Sequence, residues 1–260
     1  LAGENGQGTQ IIDGSGNIVG SNTAITSNTT LYAKWNSPIY TITLNPGNDA
    51  TTAGTTTLYE TYNGGYSLTS RGAITSTITA PTKTGHTFGG YYTEQNGGGT
   101  QIIDGSGNIV GSNTAFTSNT TIYAKWISNI YTIALNPGND VTTAGTTTLY
   151  ETYNSGYSLT SGGVTTSTIT APTKAEYTFG GYYTGENGQG TQIIDGSGNI
   201  VGSNTAITSD ITLYAKWTAA IYTITLNPGD NVTTNGTTTI YEKYNSGYSL
   251  TSGGATTSTL

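Results

Sequence analysis

Apolar and polar residues alternate with a period of two over several short stretches of this chain, and no stretch keeps a period of 3.6. Ile39-Tyr40-Thr41-Ile42-Thr43-Leu44 sets Tyr40, Ile42 and Leu44 on one face of an extended segment. Asn45-Pro46-Gly47-Asn48 follows with turn chemistry, proline fixing one φ and glycine permitting a positive one. Residues 55–62, rich in Thr, Leu and Tyr, predict a second strand that Asn63-Gly64-Gly65 stops. Ser76-Thr77-Ile78-Thr79 reads as a short extended piece ending at Ala80-Pro81. Residues 87–93 form the next predicted strand, and Gly89-Gly90 inside it predicts a bulge or a close backbone approach. Gln101-Ile102-Ile103 and Asn108-Ile109-Val110 flank the hairpin-like turn Asp104-Gly105-Ser106-Gly107. Ile122-Tyr123-Ala124-Lys125-Trp126 closes the series as a strand, with Ile122, Ala124 and Trp126 on one face. A helical turn over residues 67–76 is left open, although Gly, Thr and Ser there form helix poorly.

The same order of elements recurs every 91 residues. Leu31-Tyr32-Ala33-Lys34-Trp35 and Leu213-Tyr214-Ala215-Lys216-Trp217 repeat the closing pentad. Residues 36–126 and 127–217 align without a gap at roughly four identical positions in five. Residues 1–35 match the second part of a unit and residues 218–260 the first part. The predicted organisation is therefore two complete repeats flanked by two partial ones. The fold class is mainly β, with tandem small modules arranged as an elongated rod. Short junctions favour that rod: Asn36-Ser37-Pro38, Ile127-Ser128-Asn129 and Thr218-Ala219-Ala220 leave little slack between modules.

Composition narrows the function classes. The 260 residues carry 7 Lys and Arg against 14 Asp and Glu, a net charge of −7, and the cations are scattered, which excludes nucleic acid as a partner. With no cysteine there is no disulfide and no thiolate metal site. No apolar run is long enough to insert in a membrane, and no signal peptide is read. The absence of methionine is what a processed or excised fragment shows. A chain rich in Thr, Asn, Gly and Tyr and free of sulfur fits an extracellular location on a bacterial cell surface.

The residues Ala80-Pro81-Thr82-Lys83, Thr87-Phe88, Gly90-Tyr91-Tyr92-Thr93, Thr121 to Trp126 and the opening Ile39 to Leu44 together resemble the Listeria–Bacteroides repeat, also called the internalin B-repeat family. The second unit repeats them at Ala171 to Lys174, Tyr177 to Thr184 and Thr212 to Trp217. The resemblance implies a small β-grasp-like module in tandem stalks of bacterial surface proteins, often adhesins or invasins. The chain departs from the family pattern in carrying Gly-Tyr-Tyr in place of Gly-Trp-Tyr. It also carries a Gly-rich hairpin at residues 96–111 and extra Thr, Ser and Gly at 67–77, which shortens or removes the helix of a β-grasp.

Candidate chemistry is sparse. Trp35, Trp126, Trp217, Phe88 and Phe179 are assigned structural roles, the indole of each pentad plugging a thin core, a burial of about 3 kcal/mol. Asp13, Asp104 and Asp195 open a Asp-Gly-Ser-Gly-Asn run whose alternate oxygens are weak candidates for calcium, but the later glycine and distal Glu of such a loop are missing. A turn is the preferred reading. His86 is the single histidine and its counterpart is Tyr177, so no shared chemistry uses it. Glu60 and Asp104 recur, but nothing places them together, and solvated or turn positions are expected. Without a recurring histidine there is no triad. Lys34, Lys125 and Lys216 lie on the face opposite their tryptophans and are expected in solvent; the other reading is an isopeptide cross-link. Tyr91, Tyr92, Tyr182 and Tyr183 are possible ligand-binding residues, and in a strand only one of each pair can face out.

These readings converge on a non-enzymatic stalk without cofactor, whose partners are its own neighbouring repeats. Two alternatives stand beside it: a fibre in which other copies of the chain complete the partial end repeats by strand complementation, and a multivalent adhesive module for a glycan or a host surface protein.

Overall fold

A computed structural model of the chain describes residues 1, 7–20, 25–110, 116–201, 207–230, 232–234 and 236–259. The chain divides into two compact units, Leu1–Ile127 and Ser128–Leu260. Among the described residues there is no α-helix. The open question over residues 67–76 resolves without a helix: Ser67 ends a strand, residues 70–71 turn, and Ile74 bridges back to Ser67; residue 111, the end of the Gly-rich hairpin, lies outside the described residues.

Among the described residues up to Ser128 there are six strands: β1 (Ile39–Asn45), β2 (Thr57–Thr61), β3 (Gly65–Ser67), β4 (His86–Tyr92), β5 (Gln101–Ile103) and β6 (Thr120–Ser128). They form one sheet in the order β3-β2-β1-β6-β4-β5. β1 pairs antiparallel with β2, with Ile42 opposite Leu58, and β2 pairs with β3, with Glu60 opposite Tyr66. β1 pairs with β6 in parallel, with Leu44 opposite Ile122. The pentad thus ends the repeat in sequence but sits at the centre of its sheet. A parallel partner cannot be reached by a tight hairpin, so the whole repeat becomes the crossover between the two central strands. Both edges, β3 and β5, are three residues long, a length that leaves little open backbone for stray pairing.

The alternation sends Ile42, Leu44, Leu58, Phe88, Tyr91 and Ile122 to one face, where all are buried. That face is roofed by irregular segments. Thr51 and Thr55 donate backbone N–H groups to Thr82 and Thr79, and Ile78 and Ile109 donate to Gly107 and Ser76. Ile78, Ala80, Ile109 and Phe116 from these segments pack onto the core. The bulge expected at the glycine pair is seen in the second repeat, where Gly180-Gly181 face the single Lys216 between the pairs Phe179–Trp217 and Tyr182–Ala215; in the first repeat Gly90 shows the close backbone approach. Gly90 has φ 107°, and a Cβ there would lie 2.2 Å from the Ile103 carbonyl oxygen.

The second unit repeats this plan with β7 (Ile130–Asn136), β8 (Thr148–Thr152), β9 (Gly156–Ser158), β10 (Tyr177–Tyr183), β11 (Gln192–Ile194) and β12 (Ile211–Ala219) in the order β11-β10-β12-β7-β8-β9. It also carries β13 (Ile221–Thr225), β14 (Thr239–Lys243) and β15 (Gly247–Ser249) as a three-stranded sheet.

One expectation is corrected at the first pentad. Residues 31–35 form no strand, and Trp35 is 90% exposed. The described residues of 1–35 supply neither of the strands that flank β6 and β12, so the indole finds no core to enter. Trp126 and Trp217 are half-buried at the rim of their cores, while the fully buried aromatic residues are Tyr66, Tyr91, Tyr157 and Tyr182.

Candidate functional site

The inner face of each six-stranded sheet carries a buried acid. Glu60 lies on β2 between Tyr40 on β1 and Tyr66 on β3, its cross-strand neighbours, and is 3% exposed. Its Oε2 accepts the backbone N–H of Phe116 at 3.0 Å. Glu151 repeats this between Tyr131 and Tyr157 and accepts from Ile207 at 3.1 Å. Burial raises both carboxyls above their ordinary range, and the single backbone donor pulls the other way. Burial first, and then the charge of Glu151, pushes the Tyr157 hydroxyl up to about 12. The solvated position expected for Glu60 is therefore corrected: the carboxylate latches the loop before β6 onto the core. The Thr57–Thr61 alternation, which puts Glu60 on the face of Leu58, carried that signal.

The aspartate turns are closed on themselves. In each, Asp104, Asp13 or Asp195 accepts from the backbone N–H groups two and four residues later through Oδ1 and from the asparagine amide through Oδ2, at 2.8–3.0 Å. The asparagine amide leads the bonds that hold these carboxyls below their ordinary range. Both oxygens thus face N–H donors, the arrangement of a turn. No group of three or more metal-ligating side chains occurs among the described residues.

The indoles make a specific bond. Trp126 Nε1–H donates to the Pro46 carbonyl at 3.0 Å and Trp217 Nε1–H to Pro137 at 2.9 Å. Phe88 and Phe179, each 8% exposed, meet these indoles at ring distances of 5.7 and 5.5 Å. Tyr91 and Tyr182 are fully buried, which removes them from any surface platform; their hydroxyls have no hydrogen-bond partner among the described residues. Tyr92 and Tyr183 face out. On that outer face Tyr183 stands opposite Tyr214 across the β10–β12 ladder. Lys125 and Lys216 hold their ammonium groups 5.7 Å from the Tyr92 and Tyr183 rings. Their stems run beneath Gly97 and Gly188, where a Cβ would come within 2.6 Å. The lysines therefore lie on the sheet face away from the tryptophans. His86 is half-buried, its Nδ1 2.9 Å from the Thr84 carbonyl oxygen.

The end of the second repeat makes a further site that sequence reasoning missed. Ala220, alone between β12 and β13, donates its N–H to Glu176 at 2.8 Å and accepts the N–H of Tyr244 at 2.9 Å. Tyr177 at the start of β10 and Tyr244 after β14 meet edge to face at 5.7 Å.

The geometry defines a class: a tandem array of all-β modules, each one mixed sheet roofed by loops. Residues 40–125 and 151–216, together more than half of the chain, match the family model of the Listeria-Bacteroides repeat domain, and the chain belongs to that family. Comparison with curated proteins and with solved structures gives no match.

Proposed function

We propose that this chain is a non-enzymatic spacer, an extracellular stalk segment of a bacterial surface protein whose length is set by the number of repeats. The observation that carries the reading is the junction at Ala220: one residue separates β12 from β13, and both of its backbone polar groups are bonded, one to each repeat. A flexible string of beads needs longer, unbonded linkers. The family membership supports a surface location, and no helix among the described residues is long and apolar enough to cross a membrane. The mixed sheet, with its two central strands parallel, supports a β-grasp-like module in which loops take the place of the helix. The buried glutamates and closed aspartate turns have structural employment, which supports the absence of a reaction. Small-angle scattering of this chain, and of a chain with one repeat duplicated, tests the spacer. A constant increment in maximum dimension supports it; growth as the square root of repeat number overturns it.

A second reading has one observation in its favour. Tyr183, Tyr214 and Lys216 form a half-exposed aromatic and cationic cluster on the outer face, and Tyr92 and Lys125 repeat its cation–ring contact. Such a cluster suits a polysaccharide held by ring stacking and avidity. Titration with acidic and neutral polysaccharides tests it, since binding has to weaken on Tyr183→Ala and grow with repeat number.

A further inference from the structure

We infer that the second repeat and the segment following it are energetically coupled through the Tyr177–Tyr244 contact, so that residues on either side of the boundary open together. This goes beyond the spacer reading and holds whether or not the array serves as one. The pairing of β10 with β12 runs to the last residue before the boundary, Tyr177 lying opposite Ala219. The next residue, Ala220, continues the connection by donating to Glu176. Glu176 holds φ 63°, a left-handed conformation that a side chain disfavours, and such strain persists only where the surroundings fix it. From the other side, Tyr244 donates its N–H to the Ala220 carbonyl and brings its ring against Tyr177. The ammonium of Lys174 lies 4.8 Å from the same Tyr177 ring and 3.2 Å from the Asn139 carbonyl, which ties this ring back to its own repeat. Two hydrogen bonds, a ladder pair and a ring contact thus converge within a few residues of the boundary.

The contact has a matched control inside the same chain. Tyr62 occupies the position of Tyr244 and makes the same backbone bond, to the Pro38 carbonyl at 3.0 Å. The described residues before it include no strand of the β10 kind, and Tyr62 is 39% exposed. The hairpin therefore forms its local geometry without a neighbour, and the ring contact is what the neighbour adds.

Hydrogen exchange with peptide-level mass spectrometry on the full chain tests the coupling. Tyr244→Ala is expected to speed exchange in the first residues of β10 and the last of β12 about two- to tenfold, the worth of one edge-to-face pair. Tyr177→Ala is expected to speed exchange in β14, and the double variant to add nothing further at either place. Tyr244→Phe is expected to keep the protection, and Tyr62→Ala to leave β10 and β12 unchanged. The inference is overturned if Tyr244→Ala changes only β14 and β15, or if the two single effects add in full.

Discussion

Trp217 donates its indole N–H to the carbonyl of Pro137, eighty residues earlier in the chain, at 2.9 Å. The acceptor sits in the turn after the first strand of the repeat and the donor on its last strand, so one bond ties the two ends of the module together. Phe179 packs on the same indole. Trp217→Phe removes the donor and part of the ring, and is expected to destabilise the second repeat by about 1–2 kcal/mol. Trp35→Phe changes an indole that is 90% exposed and is expected to leave the denaturation midpoint within error. Urea titrations of the two variants check the contrast; equal losses would refute the structural role assigned here to the indole bond.

The buried glutamates and the turn aspartates respond to pH with opposite sign. Burial raises the Glu60 and Glu151 carboxyls above their ordinary value of 4.5, so their favourable contribution is complete below 4.5 and is lost as pH rises through the folded value. Asp104 and its copies lie below 3.8; their contribution is present above 3.8 and is lost as pH falls through the folded value. Glu60→Gln keeps an acceptor for the Phe116 N–H and removes the buried charge. The double variant Glu60→Gln, Glu151→Gln is expected to be more stable than the parent at pH 7, with a flatter midpoint-versus-pH curve above pH 4.5. Glu60→Ala, which orphans the Phe116 N–H, is expected to lose about 1–3 kcal/mol.

Tyr91 and Tyr182 bury hydroxyls that have no partner among the described residues. Leaving a polar group dry in a core costs about 1–3 kcal/mol. Tyr91→Phe keeps the ring against Phe88, 5.2 Å away, and is expected to raise stability by about 1 kcal/mol. Thermal denaturation measures it, and a fall in midpoint would mean that the hydroxyl is satisfied in solution.

Backbone conformation supplies another comparison within the chain. Arg71 holds φ 60° where the other repeats place Gly162 at 66° and Gly253 at 70°. Arg71→Gly is expected to stabilise the first repeat by about 1 kcal/mol, since a side chain resists the left-handed region. Gly90→Ala is expected to be far worse than Gly47→Ala, although both have positive φ. The first drives a Cβ to 2.2 Å from the Ile103 carbonyl oxygen and the second meets open space. Denaturation of the three variants checks the ranking.

Much of the module was legible in the residues themselves. The alternation in Ile39–Asn45, the turn chemistry of Asn45 to Asn48 and the glycine pair before Tyr91 led directly to a strand, a turn and a close backbone approach, because these depend on neighbours in sequence. β3 was hidden because it has three residues and opens on glycine. The central place of the pentad was hidden because parallel pairing joins segments 78 residues apart and leaves no local mark. Glu60 was misjudged by weighing its charge above its position in the alternation; its donor, Phe116, is 56 residues away. The Tyr177–Tyr244 contact is set by packing across a repeat boundary, which no pattern within one repeat encodes.

The single residue between β12 and β13 has a consequence for assembly order. Every copy needs its own tail before its middle can close, and the preceding tail, nearly identical in sequence, is already at hand when the next copy begins. Parallel neighbours must be joined by a dozen or more residues, and Ala220 alone cannot turn the chain back alongside the strand it has just left. A one-residue tether therefore bars the nearest wrong match, and fidelity among look-alike strands is written into the spacing between them.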